Sequence, residues 1–452
     1  MTQLPPFESS GKASEDTLGQ LYNLITGDED ARVCRDIPPE SCHDQPRNFF
    51  AYLGANTLNK VADELSSAKL VLPWMLGALG APAAFTGFLV PIRESGVLLP
   101  QMAVAAYVRR MPQRKPVWLL GALLSALALV GMAAAAMWLD GATAGAAVIG
   151  LLVVYSLARG LCSVSAKDVL GKTVSKSRRG RLMGWSAAAG GVLTLALGLW
   201  LTGVSFDDAG REIFAVMLFG AAMLWLIALV LFGSILEQPG STEGGGNALQ
   251  VARENLRLLR DDQPFRQFVF GRTSMLAVAL APPFYVLLAQ QSAAGDLAGL
   301  GMLVIASGLA AAISSPIWGV LGDRSSRTVM ALGAAGAGVL GIVVSLAAYS
   351  DASWLKHGWV HALIFMLLII MHSGVRLGRK VYLVDMANEQ NRAAYVAVSN
   401  SVIGVMMLLG GLVGLLGDWL GVVAVIALLS VWSMLAAVGA LRLREVSADG
   451  GT

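Results

Sequence analysis

The sequence predicts an all-α membrane protein with twelve transmembrane helices in two six-helix bundles, related by a pseudo-two-fold axis along the membrane normal. Three observations carry that expectation: the composition, a series of long apolar runs, and an alternation of basic residues between loops. Of 452 residues, 56% are apolar and 14% charged, against about 25% charged in an ordinary soluble domain. Water is therefore not the main solvent. A hydrocarbon core about 30 Å thick takes roughly 20 apolar residues to cross as helix, because lipid offers backbone N–H and C=O groups no other partner.

Runs of that kind lie near 57–80, 83–106, 117–138, 142–166, 182–203 and 213–236 in the first half. Those near 267–289, 297–320, 329–349, 359–383, 394–416 and 420–441 make up the second. Basic residues stay on the cytoplasmic side of short loops. Here they follow every even-numbered helix: Arg109, Arg110, Arg114 and Lys115, then Lys167 to Arg181, then Arg253 to Arg266. Arg324 with Arg327, Arg379 with Lys380 and Arg392, and Arg442 with Arg444 continue the series, while the opposite loops hold only Arg211 and Lys356. Both termini are expected in the cytoplasm of a multi-pass inner-membrane protein.

The expected domains are a cytoplasmic tail at 1–47, a bundle at 48–236, a cytoplasmic linker at 237–265, a second bundle at 266–443 and a tail at 444–452. The polar first 47 residues lack the apolar core of a secretory signal, so helix 1 is expected to insert uncleaved. In the linker, Leu249, Ala252, Leu256 and Leu259 recur at helical spacing opposite Arg253, Arg257 and Arg260. That pattern fits an amphipathic helix on the inner leaflet, and equally a solvated connector. Cys34, Cys42 and Cys162 form no disulfide framework, and Cys34 and Cys42 with His43 fit a reduced tail better than a metal site.

The two halves share internal spacing. Pro100 stands ten residues before Arg110 and Pro316 eleven before Arg327; Arg159 precedes Asp168 by nine, as Arg376 precedes Asp385. Ser186, Gly191 and Gly198 in helix 5 match Ser399, Gly404 and Gly411 in helix 11. Six crossings per copy insert both copies in the same orientation.

With those tokens on the page, the chain resembles the major facilitator superfamily across nearly all of residues 48–443. The segment GVLGDRSSR resembles that family's loop signature, with Gly319, Asp323, Arg324 and Arg327 in place; the first-half copy has Tyr107 where the acid stands. Helix 4 carries YSLARGLCS, similar to the family's second motif around a buried arginine, here Arg159. Helix 5 has Gly184, Gly190 and Gly191 without the proline of the antiporter motif. The resemblance implies that helices 1, 4, 7 and 10 line a central cavity and that Gly319, Asp323, Arg324, Arg327, Asp168 and Asp385 act in gating.

Ionisable residues in membrane helices are costly and usually face a cavity or a partner. Helix 1 carries Asp63, Glu64 and Lys69, helix 2 Arg93 and Glu94, helix 4 Arg159, helix 7 Arg272, and helix 10 His372 and Arg376. These nine are the expected substrate-binding or proton-coupling residues. The carboxylates are candidate proton carriers, and Glu94 is placed to pair with Lys69. His372 fits either a hydrogen-bonded structural role or a proton relay. Five cations against three acids favour an anionic or zwitterionic solute.

The chain has no Gly-x-x-x-x-Gly-Lys-Ser/Thr fingerprint for ATP, and its four histidines have no metal-ligand spacing. The expectation is a monomeric, proton-coupled secondary transporter of a small solute, without cofactor, nucleic-acid partner or enzymatic activity. A drug or lipid exporter driven by proton antiport is the alternative.

Overall fold

The computed structural model describes residues 19, 22, 44–203, 210–240, 242, 256–292, 297–388 and 391–446. Among them there is helix and no strand. Twelve spans are present. Span 1 is Gln45–Leu65 with Val71–Ala78, span 2 Ala83–Leu98 with Gln101–Arg109, and span 3 Lys115–Trp138. Gly141–Thr173, Lys176–Gly203 and Glu212–Gly233 complete the first bundle as spans 4 to 6. Span 7 runs through Gln263–Ser274, Leu276–Leu280 and Pro282–Ser292; spans 8 to 10 are Leu297–Arg324, Ser326–Tyr349 and Gly358–Met386. Arg392–Gly410 with Val413–Leu420 forms span 11, and Val422–Leu441 span 12.

Among the described residues, ten helices are long and apolar enough to cross a bilayer. Spans 1 and 2 fall short because each is broken: Ser66–Leu70 interrupts the first, and Pro100, which lacks a backbone N–H, interrupts the second. Span 1 also begins at Gln45, twelve residues before its apolar run. Two of its asparagines bond to other helices or the chain beyond them. Asn48 donates to the Leu236 carbonyl (3.2 Å) and accepts from its N–H (2.8 Å), and Asn56 donates to Ser186 Oγ (2.9 Å). The amphipathic pattern at 249–259 lies largely outside the described residues, which show a short helix at Leu258–Asp261. Cys34, Cys42 and His43 also lie outside them, while Cys162 is a buried free thiol.

Val230, Val320, Leu346 and Leu435 are exposed on the outer surface. Such an apolar belt requires lipid around it. Glu237, fully buried at the end of span 6, accepts from the backbone N–H groups of Arg114 and Lys115 (2.8 and 2.7 Å) and from Lys172 Nζ (2.9 Å). The start of the connector is thereby fixed to spans 3 and 4.

The bundles meet at the face away from the termini. Gly87 of span 2 lies against Gly414 of span 11, and Gly198 of span 5 against Gly301 of span 8; a Cβ at any of these four would lie within 3.0 Å of a neighbouring atom. Gln290 Nε2 of span 7 donates to the Trp74 carbonyl of span 1 (3.0 Å). Asp418, in the part of span 11 that continues past its expected end, accepts from Ala83 N–H (2.6 Å) and Ala84 N–H (3.2 Å) at the start of span 2. Gly421, at φ 84°, turns the chain at once into span 12. The far face is closed, and the space between the bundles widens toward the face that carries the described chain ends.

A carboxylate on a helix N-terminus contributes about 1 kcal/mol. Asp418→Ala is expected to raise alkylation of a cysteine placed at Gly80 by roughly five-fold, as the far face opens more often. An unchanged labelling rate would remove Asp418 from the far-face closure.

Candidate functional site

The first bundle builds a charge cluster around Asp63, which stands just before the break in span 1. Arg93 Nη2 of span 2 donates to Oδ1 (3.0 Å), Arg159 Nη2 of span 4 to Oδ2 (2.5 Å), and the Tyr155 hydroxyl to Oδ1 (2.8 Å). Tyr155 lies one helical turn before Arg159, so both reach the same acid. The guanidinium of Arg93 stacks over Tyr155 at 5.2 Å, and that of Arg159 over Trp225 of span 6 at 4.8 Å. Trp225 Nε1 donates to the Tyr155 hydroxyl (3.4 Å). Both oxygens of Asp63 are thus occupied, and two expected cavity cations are already held by one acid.

Among the described residues, no acid of the second bundle lines the cavity. Arg272, buried in span 7, donates to Ser399 Oγ and to Asn400 Oδ1 (3.1 Å) of span 11. These are neutral partners, so its charge is hydrogen-bonded but not cancelled. Arg376, Arg379 and Lys380 of span 10 line the cavity with no carboxylate within 4 Å among the described residues. The internal repeat is visible in these contacts. Ser186 of span 5 accepts from Asn56 and Thr57 of span 1 as Ser399 of span 11 accepts from Arg272 of span 7.

Between the bundles lies a cavity of about 530 Å³, continuous through Lys69, Glu94, Ser163 and Arg376 with a second of about 400 Å³ around Asp63. All nine residues expected at the site line one or both. Lys69 crosses the interface: its ammonium donates to His372 Nε2 at 3.3 Å, which leaves the ring proton on Nδ1, 3.5 Å from the Val278 carbonyl. Glu94 does not form an ion pair with Lys69 within 4 Å, and neither Glu94 nor Glu64 has a hydrogen-bond partner among the described residues. Three further cations face the cavity: Lys167, Arg379 and Lys380. Their sequence positions fit loop charges, but spans 4 and 10 continue as helix to Thr173 and Met386 and carry them inward.

The residues expected in gating lie at the wide end. Asp168 Oδ2 is 3.8 Å from Arg114 Nε. Arg327 Nε is 3.3 Å from Glu445 and its Nη1 donates to the Leu443 carbonyl (2.9 Å), so it holds the chain after span 12. Asp323 and Arg324 end span 8, a Cβ at Gly319 would meet open space, and Asp385 lies near the end of span 10.

Two six-helix bundles around a polar cavity closed at one face define a membrane transporter fold. The structure is similar to a D-xylose-proton symporter, with a TM-score of 0.69 at 13% identity over 89% of this chain and 99% of that one. It is similar to the nucleoside transporter NupG with a TM-score of 0.68 at 12% identity, over 87% and 99% of the two chains. Residues 268–451 match the Major Facilitator Superfamily. That match covers the second bundle, and the whole chain shares the fold of these two transporters. By sequence it is 25% identical to the uncharacterized protein Rv2209 of Mycobacterium tuberculosis, over 80% of this chain and 70% of that protein.

Proposed function

We propose that the protein is a proton-coupled secondary transporter of an anionic solute, which it exposes to either side of the membrane in turn. One observation carries this reading: eight basic side chains line the joined cavities against three carboxylates, and among the described residues those of span 10 have no acid within 4 Å. A cavity with that surplus attracts anions and disfavours cations. The driving force is assigned to protons because Glu64 and Glu94 face the cavity free of ion pairs within 4 Å among the described residues. A carboxylate so placed exchanges its proton for a salt bridge when a neighbouring cation moves. Proton coupling on this fold has a precedent in the D-xylose-proton symporter.

In proteoliposomes, an anion first identified by its thermal stabilisation of the purified protein should accumulate under an imposed pH gradient. Glu94→Gln is expected to abolish that accumulation and to spare solute counterflow, because exchange never requires return of an unloaded, deprotonated carrier. Gradient-driven uptake at the wild-type level in both Glu94→Gln and Glu64→Gln would end the proton assignment. A cationic solute would end the anion assignment.

The same reading places the chain in the cell inner membrane as a monomer, with both chain ends and the wide end of the cavity toward the cytoplasm, following the basic loops. Single cysteines at Ser292 and Ala352 should then react with impermeant reagent added from the periplasmic side. Labelling from the cytoplasmic side alone would invert the topology.

A further inference from the structure

We propose that the transported anion is an amphiphile, whose acidic head sits on Arg376 and Lys380 and whose apolar chain lies between spans 5 and 8. The inference rests on the reading of the central cavity as an anion path. The two helices are in contact at the far face and separate toward the wide end. A Cβ at Gly198 would stand 2.7 Å from Ile305, one at Gly308 would stand 3.0 Å from Leu195, and one at Gly191 would meet nothing within 4 Å.

The separation leaves a crevice of about 660 Å³, within the range of ordinary ligand sites. Its walls are mostly apolar, with Ala188, Val192 and Leu195 on span 5 and Ala312 and Trp318 on span 8, interrupted by Ser314, Ser315 and Ser373. Ala188, Val192 and Ala312 are exposed on the flank of a protein whose outer belt faces lipid, so the crevice opens sideways into the bilayer.

At its inner end stand Arg376 and Lys380, and both also line the central cavity. The two spaces are therefore one, apolar on the lipid side and cationic in the middle. A small hydrophilic anion has no use for the apolar arm. A neutral apolar molecule would leave two cations without a counter-charge. An acidic head on an acyl-type chain satisfies both parts at once, by charge complementarity at Arg376 and Lys380 and by burial of apolar surface along spans 5 and 8. On the opposite flank, spans 2 and 11 stay in contact at this depth among the described residues: Ser95 Oγ donates to the Gly404 carbonyl (2.8 Å), and Gly404 is packed against Leu99.

Trp318 is the built-in reporter, since it lines the crevice with its indole N–H held by the Ile370 carbonyl (2.8 Å). Bromine quenches indole fluorescence at contact. The full chain in phosphatidylcholine nanodiscs should show saturable quenching by dibromostearate that is absent in Trp318→Phe. Its affinity should fall about tenfold or more in Ala312→Trp, in Gly191→Phe and in Arg376→Gln, and dibromostearyl alcohol should bind at least as weakly to wild type.

No Trp318-dependent quenching, or wild-type affinity in both crevice-filling variants with intact melting behaviour, would overturn the proposal. Citrate provides the separate arm. Thermal stabilisation by citrate without stearate binding overturns the amphiphile and keeps the anion cavity; stabilisation by neither overturns both.

Discussion

Asp63→Asn is expected to be among the most damaging single substitutions in the chain. It leaves Arg93 and Arg159, each about one-fifth exposed, without their shared counter-ion. Removing one partner from a buried ionic cluster costs about 3 kcal/mol, because the desolvated charge remains behind. The melting temperature of the first bundle should fall, and uptake roughly 100-fold with it. A second substitution, Arg93→Gln, should recover part of the stability by removing the surplus cation, and a double-mutant cycle on melting measures that coupling. If the single and double variants melt alike and at the wild-type temperature, Asp63 is not the hub of this cluster.

Arg376→Gln should have the opposite profile: large loss of binding with little loss of stability. Its guanidinium has no ion pair within 4 Å among the described residues, so the fold loses no contact when the charge goes. A bound anion loses a partner worth a few kcal/mol at an effective dielectric near 20, so affinity should drop roughly 100-fold. Arg376→Lys is expected in between, since an ammonium keeps the charge without the planar fork that grips an oxyanion at two points. Titration of the stabilising anion by thermal shift checks all three proteins. Equal affinities across the set would move solute recognition away from span 10.

Much of the fold was legible because burial in lipid imposes a rule on composition. Spans 3 to 10 could be located by apolar length and loop charge alone, although span 4 runs on to Thr173 and span 5 starts already at Lys176. Span 1 resisted for a physical reason: Asn48, Asn56 and Asn59 face other helices, so polarity there reports a protein interior and not the end of the span. Asp418 was missed in the same way, since its partners are backbone N–H groups that no residue type announces.

At the site, a charge on a membrane helix was enough to mark the nine candidates, and Tyr155 could have been found by its one-turn spacing from Arg159. The pairing could not. Nothing in the sequence says that Asp63 holds two arginines on one side while Arg376 has no acid on the other, because that asymmetry arises from how spans 1, 2 and 4 converge. Arg379 and Lys380 were misleading because the same basic residues serve orientation and cavity lining, and only the length of span 10 separates the two uses.

The clasp at Glu237 has a mechanical consequence. With its carboxylate bonded to the N–H groups that open span 3 and to Lys172 at the end of span 4, the first bundle ends as a rigid body beyond its last membrane helix. Any rotation of one bundle against the other therefore leaves span 6 unstressed as far as Gly240, whose N–H is itself held by the Pro112 carbonyl at 2.9 Å. The other end of the connection is held too, where Asp262 caps the helix that opens span 7 through Phe265 N–H and accepts from the Tyr395 hydroxyl. The fulcrum thus lies within the packed interface of small residues, and each bundle meets the connection between them at a fixed post.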